Sequence, residues 1–370
     1  MEALYIWQLE DWPQWRYQSQ QFQTLLNKVH YQQGVLLGRM RDCGMDFREE
    51  ASLNMLTENI VQSSAIEGEK LSVHSIRSSL ARKLGVEVSA IAPIDRHIDG
   101  VVEMMLDATT RYEEPLSLQR LYGWHAALFP TGYSDLSQIK VAQLRDDLQG
   151  AMQVISGRYG REKVHYQAPP AQQLPEEMTV FLAWMNKEKE ESFFVQAAIA
   201  HLWFLTLHPF DDGNGRMARA ISDGLLARAD QSASRFYSMS AQIQKKRHEY
   251  YAILEQTQKG NLDITQWIQW FLTTLLEAME QANQQLDQVL LKAQCWQKWR
   301  LLPLNERQIK VLNRLLDGFE GVLNNRKWVA IAHCSRDTAL RDINDLIDKG
   351  VLEKASGGGR SVNYVLKSRK

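Results

Sequence analysis

The residues best placed to do chemistry lie in one stretch, His208-Pro209-Phe210-Asp211-Asp212-Gly213-Asn214-Gly215-Arg216-Met217-Ala218-Arg219. It combines a candidate base, a carboxylate, a glycine-rich turn and two arginines. Pro209 disfavours helical geometry at His208, so the preceding helix should end near Leu207. Asp212 to Gly215 read as a turn, because glycine reaches backbone angles that other residues avoid. Met217, Ile221 and Leu225 recur at helical spacing, so a new helix should start near Asn214 or Gly215. Its first N–H groups have no acceptor within the helix, and its dipole end is positive. A glycine turn feeding a helix N-terminus is an anion site, and phosphate is the usual anion. Arg216 and Arg219 share a side of that helix and can fork onto phosphate oxygens. Asp212 would be repelled by phosphate unless a cation bridged them, most simply Mg2+.

The elements around this stretch read as helices. In the 370-residue chain, 44% of residues are hydrophobic and 24% charged, values ordinary for a soluble protein with room for two or three cores. The net charge of −1 selects no partner class. Cys43, Cys295 and Cys334 are far apart and lack metal spacing, which points to reduced thiols and a cytoplasmic location. No apolar run reaches membrane-spanning length, and the acidic MEALYIWQLEDW start lacks the bases of a signal peptide. Trp7, Trp12 and Trp15 read as an arm packed on the body. Residues 1–93 are expected to be a helical region. One of its helices runs from Leu53 into Ser63-Ser64-Ala65-Ile66-Glu67-Gly68, with Gly68 as its C-terminal cap. Phe193 to Leu207 is apolar nearly all round and should be the buried central helix. His201 on it reads as a core histidine. His125 lies on an apolar helix and reads as a satisfied core or groove histidine. Met152–Ser156 and Lys163–Tyr166 are short extended runs around Gly157-Arg158-Tyr159-Gly160, a hairpin in a helical chain. Residues 277–303 read as a helical linker.

The 208–219 stretch resembles the signature of the Fic (filamentation induced by cAMP) family, His-x-Phe-x-Asp/Glu-Gly-Asn-Gly-Arg-x-x-Arg, at every specified position. The resemblance implies an all-α Fic-type core over residues 94–276 with a small β-hairpin flap. It implies transfer of AMP from ATP to a Tyr, Thr or Ser hydroxyl of a target protein, with Mg2+. Carried over, His208 is the base and Asp212 the metal ligand. Gly213, Asn214, Gly215 and Arg216 cradle the phosphates, and Arg219 grips the terminal one. Val154, Ile155, Ser156 and Gly157 match flap residues lying over the nucleotide, where the flap edge would align the target by strand addition. Tyr251 and Gln258 fall where relatives flank adenine. Ser63, Glu67 and Gly68 resemble the inhibitory motif Ser/Thr-x-x-x-Glu-Gly/Asn, so the chain would restrain itself. Relatives that transfer phosphate commonly carry Lys where Gly215 stands, which favours adenylylation over transfer of phosphate or another nucleotide. Self-modification is a further expectation.

Residues 304–370 form a separate segment. Asn305 with Gln308, a helix through Trp328–Ala332, a helix capped by Ser335, and two strands around Gly357-Gly358-Gly359-Arg360 read as a winged helix. Residues 301–370 carry 13 Lys/Arg against 8 Asp/Glu, while the remainder carries 30 against 36. That asymmetry points to DNA and to a regulator whose core senses nucleotide. Asp337, Asp342, Asp345 and Asp348 on the third helix point instead to a homodimer or a protein contact.

Overall fold

The computed structural model describes residues 4–86, 92–134, 136–157, 161, 163–316, 322–355 and 362–367. The expected turns at Arg158-Tyr159-Gly160 and Gly357-Gly358-Gly359-Arg360 lie outside them. The chain divides into two compact units, Met1–Ala282 and Asn283–Lys370.

The first unit is mostly helical. It opens with α1 (Gln23–Arg41), α2 (Met45–Ile66), α3 (Val73–Leu84), α4 (Arg96–Thr110) and α5 (Leu118–Leu128). Two small antiparallel ribbons follow, β1 (Tyr133–Ser134) with β2 (Ser137–Gln138), and β3 (Gln153–Ser156) with β4 (Lys163–Gln167). Then come α6 (Leu174–Asn186), α7 (Phe193–Leu207), α8 (Asn214–Asp230), α9 (Met239–Lys245), α10 (Arg247–Gln258) and α11 (Thr265–Trp299), of which the residues up to Ala282 belong to this unit. A sequence apolar on every side leaves α7 no solvent face, and Phe194 to Leu207 are all buried. It packs on α8, which packs in turn on α4. The stretch expected to begin near residue 277 is the second half of α11. That helix starts at Thr265, because Trp267, Phe271 and Leu275 continue its apolar face into the core of the first unit.

A two-stranded ribbon is marginal alone, so β3–β4 must be tied down. Tyr166 on β4 is buried, donates its hydroxyl to the Thr206 carbonyl at 2.7 Å and meets Tyr5 edge to face. The Trp7 indole donates to the Gln167 carbonyl at 2.9 Å. Trp12 and Trp15 pack edge to face on Trp203 of α7, so the N-terminal arm covers the central helix. The register pairs Val154 with Tyr166 and Ile155 with Val164, with an irregularity between them.

The second unit contains α12 (Glu306–Leu316), α13 (Asn325–Ala332), α14 (Arg336–Asp348), and an antiparallel pair, β5 (Leu352–Lys354) and β6 (Tyr364–Leu366). Asn305 and Gln308 cap α12 reciprocally, each backbone N–H bonding the other's side chain at 2.9 Å. Trp328, Ile343, Leu346 and Leu352 sit in its core. No helix among the described residues is long and apolar enough to cross a membrane.

The first unit also buries charge. Arg235 pairs with Asp223 at 3.1 Å and approaches Asp230, while Asn59, Gln33 and Tyr237 donate to those carboxylates. Removing the cation alone would strand two buried acids. Arg235→Leu is expected to cost about 3–5 kcal/mol in a urea unfolding titration. An unchanged midpoint would mean that the network carries no net stability.

Candidate active site

The signature loop is a short bridge between two buried helices. α7 stops at His208, which takes a left-handed conformation (φ 47, ψ 57) and donates its N–H to the Phe204 carbonyl at 3.0 Å. Such a backbone is rare for a residue with a side chain and must be held from outside. Arg145 does this. Its Nε donates to the His208 carbonyl at 2.8 Å, its guanidinium reaches the Pro169 carbonyl at 2.6 Å, and its own N–H bonds the Pro209 carbonyl at 3.0 Å. Phe210 is fully buried. The Asn214 side chain closes the loop, its Oδ1 accepting from the Phe210 N–H at 3.1 Å and its Nδ2 donating to the Phe210 carbonyl at 2.8 Å. The Asn214 amide is therefore committed to the loop, and only its backbone N–H is left for an anion.

Gly213 sits at φ 80, and a Cβ there would come within 2.9 Å of the Phe129 ring. Both the angle and the space demand glycine. No side chain caps α8, whose first intrahelical bond from the loop runs from the Met217 N–H to the Gly213 carbonyl. The N-terminal amides of α8 are thus available to an anion. Arg216 is buried over the Phe129 ring, and its Nε has no hydrogen-bond partner among the described residues. An unpaired buried donor at a helix N-terminus is what an incoming phosphate would satisfy.

His208 presents Nδ1 to the Leu205 carbonyl at 3.3 Å. A carbonyl only accepts, so Nδ1 carries the proton and Nε2 is left with its lone pair. Burial pushes the imidazole down to about 4, so the ring is neutral at pH 7. That is the state a base requires. His201 lies between Ser222 and Tyr250 in the core, hydrogen-bonded at both nitrogens.

The two aspartates differ. Asp211 accepts the Lys140 N–H at 2.8 Å and so fastens a neighbouring loop. Asp212 accepts from the Ser134 hydroxyl and keeps its side chain 44% exposed. Among the described residues no three His, Cys, Asp or Glu could hold a metal by themselves. A single open carboxylate suits Mg2+, which usually takes one or two carboxylates and completes its shell with water and substrate phosphates.

Arg219 is held from the α2 end. It donates Nε to Ser63 Oγ at 2.8 Å, and Nη2 to the Ser63 carbonyl at 2.8 Å and to Glu67 Oε1 at 2.7 Å. The carboxylate therefore meets one nitrogen, Ser63 takes Nε and shares Nη2, and Nη1 has no hydrogen-bond partner among the described residues. Gly68 turns the chain at φ 89 just past the helix end. A Cβ on Gly215 would stand 2.0 Å from Glu67 Oε1, so the bare glycine makes room for that carboxylate.

The remaining predicted residues are spread along the ribbon and α10. Val154 packs with Tyr5 and Tyr166, while Ile155, Ser156 and Gly157 are exposed. The Ser156 hydroxyl lies 2.6 Å from His165 Nε2, and His165 Nδ1 lies 2.6 Å from Glu255 on α10. This chain stakes the ribbon to α10. Tyr251 donates to the Ile66 carbonyl at 3.3 Å, beside Glu67. Gln258 is buried and turned to Thr206 at 3.4 Å.

Three residues of this neighbourhood carry no assignment from the sequence. Arg145 is one, and Glu69 and His97 are two more. Glu69 reaches Arg216 at 3.1 Å and also bonds His97. Burial raises the Glu69 carboxyl, but the His97 hydrogen bond and the Arg216 charge outweigh it and leave the pKa below its usual value. The only sequence signal was that Glu69 follows Glu67 by two. His125, expected from the sequence to be a satisfied core or groove histidine, is buried under the loop. It stacks on Phe210 at 4.5 Å, accepts the Ala142 N–H at Nδ1 and so donates from Nε2 to the Asp212 carbonyl at 3.2 Å. His125→Phe would keep the stack and orphan both backbone groups. Its expected cost is about 1–3 kcal/mol in chemical denaturation; no loss would make His125 a mere filler.

With this geometry in hand, similarity to known proteins is informative. Residues 115–226 match the Fic/DOC family, and residues 5–86 match a domain of unknown function, DUF4172. The chain is 27% identical over 210 residues to a protein named Protein adenylyltransferase Fic from Nematostella vectensis, covering 55% of this chain and 44% of that one. It is 28% identical over 214 residues to the protein of that name from Culex quinquefasciatus, covering 55% and 37%. The chain spans less than half the length of these curated relatives. A Fic family protein from Desulfovibrio desulfuricans superposes over 94% of this chain and 96% of its own, with TM-score 0.52 and 20% identity. A Fic domain containing signaling protein from Bacteroides thetaiotaomicron does so over 69% and 95%, with TM-score 0.51 and 19% identity. These two likenesses concern the fold. The chain thus carries, over residues 115–226, a domain of the Fic/DOC family.

Proposed function

We propose that the chain is a self-inhibited protein adenylyltransferase, moving AMP from Mg-ATP to a Tyr, Thr or Ser hydroxyl of a target protein or of itself. The observation that carries this reading is the pairing at the α8 N-terminus. A neutral histidine with a free Nε2 stands before an anion site whose second arginine is held by Ser63 and Glu67. In this account the α8 amides, Arg216 and Arg219 bind the phosphates and stabilise charge on the departing pyrophosphate. Asp212 would hold Mg2+, which adds positive charge at the phosphates. The open edge of β3 aligns the acceptor segment by strand addition, and Ile155 and Ser156 on it are exposed. His208 Nε2 takes the proton of the acceptor hydroxyl as its oxygen attacks the α-phosphate. While Glu67 occupies Arg219, the terminal phosphate has no grip there, and the α-phosphate is out of line.

Glu67→Gly is expected to raise ATP-dependent labelling of protein, itself included, by about 10²-fold or more, with far less change in ATP affinity. Adding Arg219→Ala should return the rate to the starting level. Adding His208→Ala instead should cost about 10²- to 10⁴-fold while ATP still binds. Radiolabelled ATP and mass spectrometry of the product read all three. A Glu67→Gly protein that is folded, binds ATP and labels no faster than wild type would remove the inhibitory assignment. Label from the γ-phosphate would replace AMP transfer by phosphate transfer.

A second reading concerns residues 304–370 as a winged helix that binds DNA. It is favoured by where the acids of α14 point. Asp342 is held by Arg307 at 2.8 Å and Asn305 at 2.9 Å, and Asp345 by Gln308 at 2.7 Å and Lys349. Two carboxylates that would oppose phosphate are turned onto α12 or paired at the helix end. Full-length protein should bind duplex DNA with affinity that falls steeply between about 50 and 200 mM salt. Binding that is absent at low salt would leave the segment as a dimer or protein contact.

A further inference from the structure

One turn delivers two carboxylates to two arginines. Glu67 and Glu69 flank Gly68, and they reach Arg219 and Arg216, which lie three apart on α8. The pairs look alike, but their surroundings differ. Glu67 has no cation beside it other than the arginine it holds, among the contacts of the described residues. Glu69 has a second one. His97, near the start of α4, presents Nε2 to Glu69 and Nδ1 to the Leu128 carbonyl at 3.2 Å. Both partners only accept, and a neutral imidazole donates from one nitrogen alone. The imidazolium satisfies both. In keeping with this, the hydrogen bond to Glu69 raises His97 above its ordinary value.

The charges then count differently. Glu67 with Arg219 sums to zero. Glu69 with His97 also sums to zero, so Glu69 leaves the charge of Arg216 uncancelled; the other carboxylate beside it, Asp212 at 3.8 Å from Nη2, is the one assigned to Mg2+. Glu69 fixes one nitrogen of Arg216, Phe129 lies against the guanidinium at 5.1 Å, and Nε is unpaired. Leu128 and Phe129 are adjacent, so one short segment both anchors His97 and floors Arg216.

We propose that Glu69 and His97 are positioning residues that hold Arg216 aimed at the nucleotide phosphates without cancelling its charge. The turn at Gly68 thus carries a lock on one arginine and a brace on the other. When Glu67 lets go, Arg216 is already in place. The proposal rests on the reading of residues 212–219 as a phosphate cradle. It assigns Glu69 the opposite sign from Glu67: losing Glu67 activates, while losing Glu69 weakens.

The test uses full-length protein carrying Glu67→Gly, with Glu69→Gln or His97→Gln added. ATP and adenosine affinities are measured by calorimetry, and KM and kcat by self-labelling. Glu69→Gln should raise Kd and KM for ATP about tenfold, the scale of one charge-assisted contact. Adenosine has no phosphate, and its Kd should stay within about twofold. Glu69→Asp should restore part of the ATP affinity. His97→Gln leaves Glu69 uncompensated against Arg216 and should weaken ATP in the same direction; it keeps the test alive if Glu69→Gln fails to fold. Tighter ATP binding or faster labelling in Glu69→Gln would make Glu69 a second lock and overturn the proposal. Equal losses for ATP and adenosine would reduce it to general damage and overturn it too. Failure of the Glu67→Gly parent to bind ATP would instead bring down the cradle reading on which it stands.

Discussion

A buried arginine can satisfy one anion at a time, and the site is arranged around that constraint. Arg219 is 2% exposed and set into α8, so its guanidinium cannot swing out to meet phosphate elsewhere. Whatever anion stands in front of it takes the contact. In the structure that anion is the Glu67 carboxylate, backed by the hydroxyl and carbonyl of Ser63. A buried cation left unpaired is costly, so the pairing is self-maintaining until a better anion arrives. A triphosphate with its ion brings more charge and more acceptors than one carboxylate.

The rest of the first unit keeps that competition local. α7 and α8 are buried, so the loop between them has little freedom. Its conformation is pinned by Arg145 on the His208 and Pro209 carbonyls, by Asn214 across the loop and by His125 under Phe210. The turn after α2 that carries Glu67 and Glu69 meets α8 at Arg219 and Arg216. The ribbon that would receive an acceptor is tied to α7 through Tyr166 and to α10 through His165. Each tie is a polar bond from a side chain to a backbone or carboxylate, which resists shear better than apolar contact alone.

The chemistry-bearing loop was legible in the sequence because everything it needs is contiguous. Histidine, acid, glycine turn and arginines follow each other, and helix spacing resumes at once. The end of α7 at Leu207 and the start of α8 at Asn214 follow from Pro209, Gly213 and the apolar spacing. What was not legible depends on partners far away in the chain. Asn214 is committed to the loop because the Phe210 backbone is within reach, which a motif does not reveal. Gln258 is turned into the core because Thr206 is there. Glu69 meets His97 across 28 positions, and no local signal joins them. The Glu67–Arg219 contact is single where a two-pronged one was conceivable, since Ser63 takes Nε and Nη1 is left unpaired among the described residues. The long α11 was read in part, since its first turns are too buried to look like a connection.

The central claim is that Arg219 is shared between Glu67 and the terminal phosphate. Its most direct measurement is the preference for ATP over ADP, determined by calorimetry in wild type and in Glu67→Gly. ADP lacks the phosphate that Arg219 would grip. The account predicts near-equal affinities for the two nucleotides in wild type, and a preference for ATP of about fivefold or more once Glu67 is gone. An ATP-to-ADP preference that is the same in both proteins would mean that Glu67 and the terminal phosphate do not compete, and would contradict the account.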